Sequence, residues 1–327
     1  MGRTFRRIAG SANLPPDLRG AVVAIGNFDG VHRGHQAVLE AAMERGAREK
    51  RPVLVLTFAP HPRRWFQPDA PHFTLTPPAM KARLLEALGL DAVVEQPFDG
   101  PLANLSAEDF VRDILVEQLG AHAVLTGFDF HFGRGRGGDP QFLAEAGERM
   151  GFAVETVSPF SDEGGAVVSS SRIRERLAQG EVSEAAGLLN YRWTTEGTVD
   201  KGRQLGRTLG YPTANMALPK DTGLRHGIFA VRFRRADGAL HDGVASFGRR
   251  PTVEEDGRPL LETYLFDFSG DLYGETCSVS LFGFLRPEER FESLDALTVQ
   301  MKRDEAEARA LLSGVRPFSA LDGKIAF

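Results

Sequence analysis

The sequence predicts two folds in tandem: a parallel α/β sheet, then a small antiparallel β-barrel closed by a helix. Three observations carry this. Up to about residue 190, short apolar runs alternate with helix-period stretches, the pattern of strands covered on both faces. Beyond it, β-rich runs follow one another across glycine-containing turns. The chain has 327 residues, enough at roughly 150 per domain for two separate cores.

The strands expected in the first half are Ala21–Ile25, Val53–Phe58, Ala92–Val94, Ala123–Thr126 and Ala153–Val157. Helix patterns fall between them, near His35–Arg48, Pro77–Leu88, Ala107–Leu119 and Pro140–Met150. Thr76 before Pro77 reads as an N-cap ahead of a first-turn proline, and Ser106 with Asp109 fits a capping box. A short helical stretch near Ser183–Leu189 precedes the second half. There, Trp193–Val199, Ile228–Arg234, Gly243–Phe247, Glu262–Phe268 and Ser278–Phe284 read as strands, with Asp237-Gly238 and Asp256-Gly257 as turns. A last helix, Leu294–Leu312, has Ser293 as its cap. The run Gly133–Gly138 reads as a mobile basic loop.

Composition bounds the function. The chain is 42% hydrophobic and 25% charged, with a net charge of −5, so it carries no footprint for nucleic acid or an anionic membrane. Its cations are mostly arginine, which a biased genome composition explains. A single cysteine, Cys277, forms no internal disulfide and suits a reducing compartment. Met1–Gly20 has no apolar core of a signal peptide, and runs such as Val53–Phe58 are too short to span a bilayer. A cytoplasmic enzyme is expected.

The chemistry of the first half centres on Gly26–His35, GNFDGVHRGH, between a strand and a helix. A helix N-terminus presents unpaired N–H groups and the positive end of a dipole. Imidazoles from His32 and His35 placed there can donate to phosphate oxygens as charge builds. Gly34 lets a nucleotide approach the backbone. A shared zinc site fits the histidine spacing, but no third ligand stands at a telling distance. A second polar cluster, Ser169–Arg174, opens a helix with hydroxyls and guanidinium groups suited to a polyphosphate. Thr57–Pro62 and Gly127–Gly133 each end a strand, where a parallel sheet binds ligands, and bring aromatic rings able to stack on a flat one.

In the second half, Gly197–Asn215 is rich in glycine and cations, as a flap over phosphates requires. Thr213 and Asn215 supply neutral oxygens suited to Mg²⁺. Glu262 begins a strand, where an interior-facing carboxylate could serve as a general base toward a hydroxyl. Spacing alone favours an ordinary exposed edge residue.

GNFDGVHRGHQ, TFAPHP, GFDFHFG and SSSRIR, in that order, closely resemble the adenylyltransferase half of the bacterial bifunctional riboflavin kinase/FAD synthetase family. GRTLGYPTAN, GVASFGRRPT, LETYLFDF, GDLYG and FLRPEERFESLDAL resemble its kinase half. The resemblance implies a nucleotidyltransferase-like (Rossmann-like) domain over residues 1–187 and a riboflavin kinase barrel over 188–327. It implies that His32 and His35 stabilise the transferring phosphoryl group. Asn27, Asp29 and Asp129 would line the nucleotide–flavin site, and Ser170 and Arg174 would hold phosphates. In the second domain it implies Mg²⁺ and ATP phosphates at Thr213 and Asn215, Glu262 as the base, and Arg207 and Tyr211 on the ATP-side flap. Riboflavin, FMN, FAD and ATP are the implied small-molecule partners, with no nucleic acid and no membrane; the sequence is compatible with a homo-oligomer. The chain departs from the family pattern at Ala59, often acidic, at Ser171, usually threonine, and at Ser246, usually asparagine. Two rival classes remain: a flavin-nucleotide binding protein with decayed catalysis, and a nucleotidyltransferase for another substrate. A binder could dispense with Glu262, and the kinase-like motifs oppose the second rival.

Overall fold

The five apolar runs of the first half form a parallel sheet, joined by a sixth strand that periodicity does not reveal. The computed structural model describes residues 4–201, 210–249 and 257–327. The chain divides into two units. Unit 1 is Met1–His72 with Thr76–Ser169, and unit 2 is Phe73–Leu75 with Ser170–Phe327.

In unit 1 the strands are β1 (Arg6–Ala9), β2 (Val22–Ile25), β3 (Val53–Ala59), β4 (Ala92–Pro97), β5 (Ala123–Gly127) and β6 (Ala153–Val157). They lie in the order β1-β4-β3-β2-β5-β6, every pair parallel. β2 and most of β3 are buried along their length, as expected of apolar strands covered on both faces. β1, RRIA, is an edge strand with only Ile8 buried, which is why its sequence looks polar.

The helices are α1 (Arg33–Glu49), α2 (Pro62–Phe66), α3 (Pro78–Leu88), α4 (Gly100–Asn104), α5 (Ala107–Asp109) and α6 (Pro140–Met150). Ser106 caps α5 by accepting from Asp109 N–H at 3.0 Å, and the helix continues as a π-helix, Phe110–Gln118. Thr76 does not cap α3. The N-cap is Pro77, and Thr76 turns its hydroxyl elsewhere. Residues 133–138 form a closed turn, with Phe132 and Gly138 exchanging backbone hydrogen bonds of 3.0 Å.

Unit 2 begins with two helices, α7 (Ser170–Gln179) and α8 (Val182–Leu189). Its strands are β7 (Thr194–Asp200), β8 (Thr213–Ala217), β9 (Gly227–Arg234), β10 (Leu240–Arg249), β11 (Pro259–Leu265) and β12 (Thr276–Arg286). They close a barrel in the order β10-β11-β8-β7-β12-β9, every pair antiparallel. β8 falls where the sequence suggests the end of a flap. Asp237-Gly238 makes the β9–β10 turn, with Gly238 at φ +89°; Asp256 lies outside the described residues.

Phe229, Phe233, Ala245, Phe247, Leu261 and Thr263 share the barrel's inner face and are almost fully buried. The long helix α9 (Leu294–Ser313), capped by Ser293 as expected, packs Ala308 and Leu312 on the outer wall against Ala230 and Phe266. The helix therefore covers a side of the barrel, which closes by its own strand pairing. A last helix, α10 (Ala320–Ala326), is pinned by Asp322, which is fully buried and paired with Arg192. Among the described residues, no helix is long and apolar enough to cross a membrane.

Candidate active sites

From β2 the chain moves to β3 on one side, and from β4 it crosses to β5 on the other. The carboxyl ends of β2 and β5 therefore flank a topological switch point, where parallel sheets open a ligand crevice. The GNFDGVHRGH loop leaves β2 there, and GFDFHFG leaves β5. Asp129 is exposed on that second loop. Of the three phenylalanines beside it, Phe132 is core, Phe130 packs on the core, and Phe128 is exposed at the strand end.

Helix α1 starts two residues before the expected His35. His32 is its N-cap, its Nδ1 accepting from the His35 backbone N–H at 3.3 Å. A ring that accepts at Nδ1 carries its proton on Nε2, so His32 presents an Nε2–H donor. The two imidazoles stack, with centroids 3.6 Å apart and planes 17° from parallel. Gly34 leaves room for this: a Cβ there would lie 3.2 Å from His32 Cε1, a tight contact that the ring would have to yield to. His35 Nδ1 is buried with no hydrogen-bond partner among the described residues. Burial above all, then the neighbouring His32 and Lys81, holds the His35 pKa well below the ordinary imidazole value. His35 is thus neutral near pH 7. A shielded ring nitrogen of this kind costs about 1–3 kcal/mol unless a ligand meets it.

The loop itself is strained. Phe28 and Val31 sit at φ +48° and +40°, a region that costs non-glycine residues roughly 1–3 kcal/mol each. Two clamps oppose the strain. Buried Asp29 accepts at Oδ1 from Thr76 N–H at 3.0 Å, while Thr76 Oγ1 accepts from Gly30 N–H at 2.8 Å. The Asn27 carbonyl accepts from Thr57 Oγ1 at 3.0 Å and from Lys81 Nζ at 2.6 Å. Lys81 is buried, which lowers its pKa to about 8, with Asp29 and Glu95 pulling the other way. Arg33 is bound bidentately by Glu163 at 2.7 and 3.0 Å.

Asn27, Asp29, His32, Gly34 and His35 therefore converge on one loop. Ser170 and Arg174 stand on α7, which belongs to unit 2, where Arg174 Nε donates to the Phe73 carbonyl at 2.6 Å. His61 accepts at Nδ1 from Arg63 N–H at 3.1 Å and lies 4.4 Å from the His72 ring.

In unit 2 the candidate residues meet by strand register. Asn215 pairs with Glu262, and Thr213 with Tyr264. Glu262 also pairs with Ser246, and Asn215 with Asp200. Asp200, Asn215, Glu262 and Ser246 thus form a polar row across four strands, β7-β8-β11-β10. Directly opposed side chains on such a row lie about 5 Å apart. The row occupies the outer face of the barrel, opposite Leu261 and Thr263, so Glu262 does not face the interior. Asn215 Oδ1 is buried with no hydrogen-bond partner among the described residues, while its Nδ2 donates to the Thr213 carbonyl at 3.1 Å. A shielded neutral oxygen beside a carboxylate strand fits a hard divalent cation. Buried Tyr211 sets its ring edge-on to Tyr264 at 4.7 Å. Burial and the charge of Glu305 on α9 raise its pKa. Arg207 lies outside the described residues.

Both halves match known domain families. The FAD synthetase model matches residues 14–172 and the riboflavin kinase model residues 189–312. A bifunctional riboflavin kinase/FMN adenylyltransferase of Escherichia coli K12 is 40% identical over 298 residues, covering 91% of this chain and 95% of that protein. The chain belongs to the bifunctional riboflavin kinase/FMN adenylyltransferase family. A Pseudomonas fluorescens member is 42% identical over 309 residues, covering 93% of this chain and 97% of that protein. A crystal structure described as a macrolide-efflux protein from Streptococcus pneumoniae superposes with a TM-score of 0.81 at 31% identity, covering 93% of this chain and 98% of that one. The strained histidine loop falls within the FAD synthetase match and the Asn215–Glu262 row within the kinase match. Reactions of both families consume ATP and generally need a divalent metal.

Sequence reading misses three contributors. Lys81 looks like a surface lysine, although it lies three and four residues before buried Leu84 and Leu85, on the apolar stripe of α3. Thr76 reads as a helix cap. Asp200 lies within the Gly197–Asn215 stretch without standing out there, and only strand pairing aligns it with Asn215.

Proposed function

We propose that unit 2 transfers the γ-phosphate of ATP to the ribityl hydroxyl of riboflavin, giving FMN and ADP. Unit 1 then joins the FMN phosphate to the α-phosphate of a second ATP, giving FAD and pyrophosphate. The observation that carries this reading is the tandem of matched domains, each with its own polar cluster.

The two clusters suit the two chemistries. A ribityl hydroxyl must lose a proton as its oxygen bonds to phosphorus, and Glu262 is the carboxylate that takes it. Its neighbour Asn215, with Thr213, would hold Mg²⁺, which neutralises charge on the ATP phosphates when bound. Tyr211 and Arg207 serve the ATP side. The FMN phosphate is already an anion, so unit 1 needs no base. It needs donors placed where charge moves from the attacking oxygen to the leaving pyrophosphate. His32 offers its Nε2–H, and the neutral ring of His35 stacks behind it with the N-terminus of α1. Asn27, Asp29 and Gly34 shape this cradle, and Asp129 borders it from the β5 loop. By resemblance, Ser170 and Arg174 of the SSSRIR motif, whose first four residues fall within the FAD synthetase match, would hold phosphates. The domain boundary is placed at 187/188, and the enzyme in the cytoplasm, where a single buried thiol stays reduced.

The test is to incubate the purified chain with riboflavin, ATP and Mg²⁺ and resolve the flavins by chromatography. FMN should form first and FAD follow. No phosphorylated flavin would overturn the reading; FMN without FAD would remove its adenylyl half.

A further inference from the structure

We infer that Lys81 is a positioning residue for adenylyl transfer: from α3 it ties the Asn27 carbonyl to the Thr57 hydroxyl and so sets the turn that presents His32 and His35. The inference deepens, and rests on, the adenylyl-transfer reading of unit 1.

Burying an ammonium group is costly, and an apolar side chain of the same length fills such a slot without that cost. Lys81 is nonetheless only 8% exposed. Its Nζ donates to Asn27 O at 2.6 Å and to Thr57 Oγ1 at 3.1 Å, and Thr57 Oγ1 in turn donates to Asn27 O at 3.0 Å. The triangle joins the loop after β2, the end of β3 and the first turn of α3. It closes on the peptide that leads into Phe28. That peptide's orientation sets the unfavourable φ of +48°, and the Phe28 ring then meets His35 edge-on at 5.3 Å. Releasing the carbonyl frees the peptide to flip, and the histidine pair loses its abutment.

Charge adds a second effect. The groups that act on His35 are His32 beside it and Lys81 from α3, and those that act on Lys81 are Asp29 from the loop and Glu95 from β4. A cation near His35 disfavours the protonated imidazole. Removing it raises the pH at which His35 takes up a proton, so the acid limb of FAD formation moves toward neutral pH.

The test uses the full chain. Lys81→Met keeps length and burial while removing the ammonium. FMN-to-FAD rates are measured with ATP and Mg²⁺ across the acid and neutral range, and riboflavin-to-FMN rates on the same preparation. Expected are a fall in kcat for FAD formation of about 10- to 100-fold with KM for ATP within about threefold. The acid limb should shift upward, and the kinase rate should stay within about twofold. Thr57→Val, which removes the shared hydroxyl, should give a smaller loss. The double variant should lose little beyond Lys81→Met alone, because both act through one triangle. Unchanged FAD formation in both variants would overturn the inference. So would an unmoved acid limb, or an equal fall in both reactions, each of which makes Lys81 a part of the fold only. A wild-type chain that forms no FAD sinks the parent reading instead, a result distinct from any of these.

Discussion

The candidate site of unit 1 sits on a loop between a strand and a helix, whereas that of unit 2 sits on paired strands. In unit 1, five of the expected residues fall within Gly26–His35, and the loop holds Phe28 and Val31 in unfavourable backbone geometry. Outside groups must hold it there: Thr76, Thr57 and Lys81. In unit 2, Asn215 and Glu262 are far apart in sequence, and the barrel's register brings them side by side, each on a regular strand. A site on a loop is compact in sequence and depends on remote clamps. A site on strands is dispersed in sequence and depends on the integrity of the whole barrel.

That contrast can be broken first through the barrel. Asp322 is fully buried and accepts from the Arg192 backbone N–H at 2.9 Å as well as from its guanidinium. The guanidinium lies among the rings of Phe282, Phe318 and Phe327. Asp322→Ala strands that charge and should cost about 3–5 kcal/mol of unit 2 stability. Denaturant titration followed by both activities should show the kinase lost first, because Asn215 and Glu262 stand on the barrel strands, and FMN-to-FAD conversion lost only as α7, which carries Ser170 and Arg174, unfolds. Coincident loss would mean that the units do not fail separately.

The clamp on unit 1 gives the converse. Thr76→Val removes the hydroxyl that accepts from the Gly30 N–H at 2.8 Å and should destabilise unit 1 by about 1 kcal/mol. FAD formation should suffer and FMN formation should not. Equal loss of both would remove the distinction between clamped loop and paired strands.

Acid sharpens it further. His35 is held neutral in the folded chain, so its pKa there lies below that of the unfolded chain. As pH falls through the ordinary imidazole value, only the unfolded chain gains this proton. Stability is then lost at up to about 1.4 kcal/mol per pH unit until the folded pKa is reached. Melting curves between pH 7 and pH 5, with His35→Gln as reference, measure it. The variant's curve should be flatter, and an equally steep one would contradict a neutral, buried His35.

Much of the architecture is legible because burial follows sequence period. The apolar runs of β2 to β6 and the caps at Ser106 and Ser293 stand where the pattern places them. β1 does not show, because an edge strand with one buried residue has no apolar run. The histidine loop can be singled out in the sequence because its residues are contiguous. The Asp200–Ser246 row cannot, since its order exists only after the strands pair. Resemblance, not spacing, singles out Glu262. Lys81 escapes because a lysine in a helix ordinarily reads as solvent-exposed.

The smallest effect concerns Cys277. It is 2% exposed, and burial pushes its thiol up to about 11. A disulfide reagent at pH 8 should modify it only as fast as unit 2 unfolds, whatever the state of unit 1. Rapid labelling of the native chain would show a looser barrel.

The most direct measurement crosses two variants with two reactions. Glu262→Gln should lower riboflavin-to-FMN turnover by about 100-fold or more and leave FMN-to-FAD conversion within about twofold. His32→Ala should do the reverse, with a loss of about 100-fold in FAD formation. That double dissociation is the signature of one chain with two independent sites. Loss of both reactions in either variant would contradict it.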